Sequence, residues 1–254
     1  MNTLTICRKE LNSYFRSPIA YGVMLFYAVI TGYFFYAYVV SFVTFSIQSS
    51  MQGQSAPMSV NDQMIRPLLS NLAVIGLFFI PIITMRLFAE EKRTGTFELL
   101  ATSPVLDMEI ILGKWLAALA LYGAMLGISV LSIATLFAYG KPDWRPIVVG
   151  YLGLLLQGGC LLAIGTYISS CTRNQIVAAV ATFSVELMLW VIDWVSSFQD
   201  SAVAKVTAYL SVTQHFDSFS KGVLDAKDVL FYASMIFIGL FLTARSLESL
   251  RWRA

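Results

Sequence analysis

Arg86-Leu87-Phe88-Ala89-Glu90-Glu91-Lys92-Arg93-Thr94-Gly95-Thr96-Phe97-Glu98-Leu99-Leu100-Ala101-Thr102-Ser103-Pro104 is the most densely charged segment of a chain that is otherwise apolar. One long apolar run leads into it and another leaves it. Gly95 has the freedom to end a helix in the left-handed conformation. Thr94 or Thr96 can cap a helix that starts beyond it, and Pro104 prevents that helix from continuing past Ser103. The pattern predicts a short helix over residues 96–102, lying at a membrane surface between two spanning helices.

The composition supports a membrane setting. Of 254 residues, 57% are hydrophobic and 13% are charged, and the mean hydropathy is +0.72. A soluble domain of this length needs more charge on its surface, and a β-barrel would show short alternating segments. The reading is an all-α integral membrane protein. A net charge of +2 with no basic cluster among aromatics gives no sign of nucleic-acid binding. Cys7, Cys160 and Cys171 form no close pair, so neither a disulfide framework nor a metal site is expected.

Six spans follow from the apolar runs: residues 18–40, 67–85, 108–139, 147–168, 175–195 and 228–246. The first run is too long for a cleavable signal. The whole chain, 1–254, reads as a single membrane domain: an interfacial helix over 1–17, six helices over 18–247 and a tail over 248–254. In the first 17 residues, Leu4, Cys7, Leu11, Tyr14 and Phe15 share one helical face, which suits the headgroup region. The tyrosines and phenylalanines of the first span read as lipid-facing bulk. Residues 46–61 read as a polar loop. Pro81 is expected to kink the second span, and Asp107 to cap the third. Gly123 and Gly127 form a pair that lets helices approach closely.

Lysine and arginine placement sets the topology. With the N-terminus inside, the inner side collects Arg8, Lys9, Arg16, Arg86, Lys92, Arg93, Lys114, Arg173, Arg245, Arg251 and Arg253. The outer side collects Arg66, Lys141, Arg145, Lys205, Lys221 and Lys227. Both termini and the charged stretch are therefore expected in the cytosol. On the outer side, Val203, Val206 and Leu210 share one face, as do Phe216, Phe219 and Val223, which predicts two short helices between spans five and six.

Glu186 falls near mid-membrane, where a charge costs several kcal/mol. Asp193 lies seven residues on, on the same face. The pair reads either as part of a translocation path or dimer seam, or as a neutral Glu186 bonded between helices with Asp193 at the surface. His215 is the only histidine, too little for a metal site. Asp200, Asp217, Asp225 and Asp228 read as solvated caps. There is no phosphate loop, nucleophile elbow or His-Glu-x-x-His motif, so no catalysis and no cofactor are expected in this chain.

The run from Glu91 to Leu100, followed by Ser103-Pro104, resembles the coupling-helix segment of type-2 ABC exporter permeases. The amphipathic start, the six spans and the paired short helices are also similar to that family. Tyr209-Leu210-Ser211 through Gly222-Val223-Leu224-Asp225, with His215-Phe216 inside, resembles its small gliding-motility and copper-maturation branch. The resemblance implies a bacterial inner-membrane permease that works as a pair, identical or not. A separate ATPase subunit would bind ATP and Mg, and an auxiliary subunit on the periplasmic side is compatible with it. It also implies that Glu90, Glu91, Lys92, Arg93 and Glu98 make polar contacts with the ATPase. Phe97 and Leu100 would be apolar anchors, and Gly95 and Thr96 would form the corner. Other readings of the residues are an ion-coupled carrier using Glu186 and Asp193, and an assembly module that recruits an ATPase without moving a solute.

Overall fold

The computed structural model describes residues 2–51, 59–96, 105–140, 142–196 and 209–251. All the regular structure among them is helical. In chain order the helices are α1 (Asn2–Arg16), α2 (Pro18–Met51), α3 (Arg66–Thr84), α4 (Ala89–Thr94), α5 (Asp107–Tyr139), α6 (Trp144–Cys171), α7 (Gln175–Ser196), α8 (Val212–Ser220) and α9 (Ala226–Arg251). A π-helical turn, Asn61–Ile65, feeds α3. Helices α2, α3, α5, α6, α7 and α9 each carry a stretch long and apolar enough to cross a membrane. The protein is an all-α multi-pass membrane protein with six candidate spans among the described residues, as its composition predicts.

Span boundaries moved where polar residues lack a breaker. Helix α2 runs to Met51, past the expected end at residue 40, so the first part of the predicted polar loop is helical. Ser46 and Ser50 do not stop it, because the Ser50 hydroxyl bonds back to the Ser46 carbonyl at 2.9 Å. In α5 the cap position is Leu106, and Asp107 is the first helical residue. The Glu109 carboxylate accepts from the Leu106 N–H at 3.4 Å, the reciprocal half of a capping box. Helix α3 ends three residues after Pro81, with Pro81 O taking the Met85 N–H at 3.0 Å.

Helices α3 and α6 form the centre, and α2 is the outlier. Buried residues make up 72% of the apolar window of α3 and 11% of that of α2. Tyr21, Phe26, Tyr33 and Tyr36 of α2 are exposed on the bundle surface, in keeping with lipid-facing bulk. Lipid tails are as apolar as leucine, so helix association here rests on close packing. Two glycines of α6 allow it. A Cβ on Gly158 would run into the Tyr122 ring, and one on Gly165 would fall 2.5 Å from Thr84 Oγ1. The Gly123–Gly127 pair of α5 has no such role in this chain. Gly123 meets only Leu155, at 3.7 Å, and Gly127 faces open space.

The two ends of the bundle are tied differently. At the far end, Asn61 bonds both ways with the Asp143 backbone, at 3.0 and 3.1 Å. Helix α8 packs Phe216 and Phe219 inward, as predicted for the second outer helix. Val223 lies past its end and is exposed. The first predicted outer helix falls mostly outside the described residues. At the opposite end, α1, α4 and the last turns of α6 and α9 come together.

Candidate functional site

The charged stretch begins where α3 stops. After Thr84 the chain turns through Met85–Phe88 and enters the six-residue helix α4. Its cap residue, Phe88, has no side chain able to accept a hydrogen bond. Ser169 of α6 takes that role: its Oγ receives the N–H groups of both Phe88 and Ala89 at 3.2 Å. One turn on, the Lys92 ammonium donates to the Ser170 carbonyl. The same carbonyl accepts from Ser246 of α9 at 3.3 Å. Helix α4 is thus fastened along one side to α6 and, through one oxygen, to α9.

The other side of α4 carries an ion-pair node. Lys114 of α5 is 2% exposed, and its ammonium reaches Glu91 of α4 at 2.8 Å and Glu10 of α1 at 3.2 Å. It also stands 5.4 Å from the centre of the Phe88 ring. A lysine six residues into an apolar span needs such partners to be tolerated. A second carboxylate, Glu109, accepts from the Asn2 side chain at 3.0 Å. Between them, Ile6 of α1 lies over Gly113 of α5, where a Cβ would approach it to 2.8 Å. Helix α1 therefore uses the line Asn2–Ile6–Glu10 to hold α5. Leu4 and Phe15, on the apolar face predicted for the interface, remain exposed on the bundle surface.

The predicted site residues divide accordingly. Glu91 and Lys92 point into the joint. Glu90 pairs with Arg86 at 3.1 Å near the surface, and Arg93 is exposed. Helix α4 ends at Gly95, which has φ 73°. This is the left-handed corner expected there. Thr96 is exposed, and its hydroxyl meets that of Thr94 at 2.9 Å. Phe97, Glu98, Leu100 and the helix predicted over 96–102 lie outside the described residues.

Glu186 is apart from this joint. It lies 11 residues after the start of α7 at Gln175, about 16 Å into the span at 1.5 Å per residue. It is fully enclosed within this chain, and neither carboxylate oxygen has a hydrogen-bond partner among the described residues. Thr182, one turn earlier on the same face, is also enclosed with a bare hydroxyl. Asp193 falls in the last turns of α7, and its side chain is outside the described residues.

At the far end the structure corrects the reading of Asp228 as a solvated cap. Asp228 is buried and bonds His215 Nδ1 at 2.7 Å. His215 Nε2 faces the Tyr209 carbonyl at 3.0 Å, and the ring stacks on Phe231 with centroids 3.9 Å apart. Asp225 does behave as a cap, accepting from the Lys227 N–H at 3.1 Å. No group of His, Cys, Asp or Glu among the described residues is placed to hold a metal.

Sequence reasoning missed Lys114, Glu10, Ser169 and Ser170. The one available signal was a lysine inside the apolar run of the third span.

Six candidate spans, with a short charged helix fastened at one end of the bundle, define a multi-pass membrane protein. The sequence profile of the ABC-2 family transporter protein matches residues 4–243, and the chain belongs to that family. Proteins of this family are membrane components of transporters, not themselves catalytic, and normally work with an ATPase subunit. No curated protein matches the chain.

Proposed function

We propose that this chain is the permease subunit of an ABC exporter. In this reading it pairs with a second permease and couples ATP hydrolysis by a separate ATPase to movement across a bacterial inner membrane. Within that class it resembles the small gliding-motility and copper-maturation permeases. Both termini and the joint lie on the cytosolic side, where eleven of the seventeen lysines and arginines fall. The observation that carries the proposal is the fastening of α4 to α5 through Lys114–Glu91 and to α6 through Ser169 and Ser170. A push on a helix held this way turns into motion of several spans at once, and a free loop would dissipate it.

The segment from Arg93 to Leu100 enters the ATPase, with Arg93, Thr96 and Glu98 as polar contacts and Phe97 and Leu100 as anchors. Glu91 and Lys92 transmit. ATP and Mg belong to the partner. The test uses Gly95→Ala and Phe97→Ala in the complex purified with its neighbouring ATPase. Loss of co-purification with Phe97→Ala, and ATPase activity uncoupled from transport with Gly95→Ala, are expected. Unchanged binding and coupling in both variants would overturn the proposal. Binding without any transport in a reconstituted assay would leave an assembly module instead.

A further inference from the structure

A cavity of about 260 Å³ lies between α1, the start of α2, the end of α3, α4 and α5. Its wall changes character with depth. At the level of the joint it is lined by Lys9, Arg86 and Lys114 and by Glu10, Glu90 and Glu91. Further in, it is lined by Ala20, Val23 and Leu121. Leu121 is seven residues beyond Lys114 on α5, about 10 Å deeper into the span. Ile19 and Ile82, both partly exposed on the outside of the bundle, border it as well, so it opens toward lipid between α2 and α3.

An occupant must therefore have a charged head at the membrane surface and an apolar body in the hydrocarbon. The polar end carries three cations and three carboxylates, so a net anion brings surplus negative charge. Among the described residues one acceptor there is unused: Glu91 Oε2 is buried and has no partner, while Oε1 is held by Lys114. A buried acceptor without a donor is costly and calls for an N–H or O–H. Lys9, exposed and without an ion pair among the described residues, together with Arg86, whose Nε is the atom that holds Glu90, suits a phosphate.

We propose that this cavity is a binding site for an aminophospholipid of the surrounding leaflet. The phosphate sits against Lys9 and Arg86, the primary ammonium donates to Glu91, and the glycerol and first chain carbons lie along Ala20, Val23 and Leu121. The rest of the chains stays in the bilayer. The site does not depend on the ATPase reading, only on the chain spanning the membrane. A lipid here wedges α1 and α2 against the joint that holds α4.

The test is native mass spectrometry of the full chain, delipidated in mild detergent and offered phosphatidylethanolamine, phosphatidylcholine or phosphatidylglycerol. One phosphatidylethanolamine is expected per chain, held about tenfold more tightly than either of the others. Phosphatidylcholine has neither the N–H nor the O–H that Glu91 needs, and phosphatidylglycerol has hydroxyls but no cation to balance its phosphate among the three carboxylates. Soluble phosphoethanolamine, without an apolar body, is expected not to displace the lipid. The double variant Lys9→Ala/Arg86→Ala removes the phosphate partners, and Ala20→Phe fills the apolar end. Each is expected to lower retention about tenfold, scored only in protein that keeps the wild-type unfolding temperature. Equal retention of the three lipids would overturn the proposal. So would wild-type retention in the folded variants. If one variant fails to fold, the other and the lipid comparison still decide.

Discussion

The Lys114 ammonium donates to the Glu91 carboxylate across 2.8 Å and joins the third span to the helix that leaves the second. With Glu10 at 3.2 Å as a third member, one buried cation holds α1, α4 and α5. Removing the lysine strands two carboxylates that are each under a fifth exposed. Lys114→Ala is expected to cost about 3 kcal/mol. In a cycle with Glu91→Ala, the two changes should fall short of additivity by about 1 kcal/mol or more. Equilibrium unfolding in mixed micelles gives the numbers. Additivity would mean that the two residues do not share an interaction.

The seat of α1 on α5 makes a steric prediction. A methyl on Gly113 would come within 2.9 Å of two Ile6 carbons and 3.0 Å of the Thr3 carbonyl. Gly113→Ala should therefore loosen α1, costing about 1–3 kcal/mol and speeding proteolysis near the N-terminus. Ile6→Ala in the same protein should recover part of the loss. The Thr3 oxygen and the Cβ at position 6 both remain and still obstruct, so full recovery is not expected. A loss unchanged by Ile6→Ala would place α1 elsewhere.

The cysteines report both burial and sidedness. Burial, and then the charge of Glu10, push the Cys7 thiol above its usual range, which leaves less thiolate at any given pH. Cys160 is enclosed, and Cys171 is exposed. An impermeant maleimide at pH 7.5 should react with Cys171 first and with Cys7 slowly. Cys160 should stay unmodified until the protein unfolds. The Cys7 rate should rise through pH 9 and should increase in Glu10→Gln, which removes the second cause. Labelling of Cys171 in inverted vesicles but not in intact cells is expected from a cytosolic joint.

What the sequence made legible follows the range of the forces involved. Apolar runs and punctuation by Gly, Pro and Asp are local, so six spans, the Gly95 corner and the second outer helix could be read directly. Pairing is not local. Glu91 meets a lysine 23 positions on, and Glu10 meets the same lysine from 104 positions away. Spacing alone could not say that Glu91 turns inward. For the same reason Gly123 and Gly127 looked like a helix seat, whereas Gly158 and Gly165, with no special spacing, face bulky neighbours. Asp228 looked like a cap because it stands at the start of a span. Its partner His215 lies across the turn that brings α8 back onto α9. Residues 46–51 belong to the helix because none of them is a glycine or proline that would break it.

Glu186 offers a test of stability against function. Its two oxygens and the Thr182 hydroxyl are enclosed acceptors without donors among the described residues, an arrangement that weakens the fold. Replacing it with an apolar residue of similar length removes that cost. Glu186→Met is thus expected to raise unfolding stability by about 1–3 kcal/mol, and Glu186→Gln, which keeps an unpaired polar group, by less. Stability and activity often trade against each other at a destabilising site. The same Glu186→Met protein, bound to its ATPase, should then transport poorly while hydrolysing ATP. Two results would count against this. A Met variant less stable than wild type would mean that Glu186 has a partner in the folded bundle. A Met variant that is stable and transports normally would mean that the carboxyl has no part in the path.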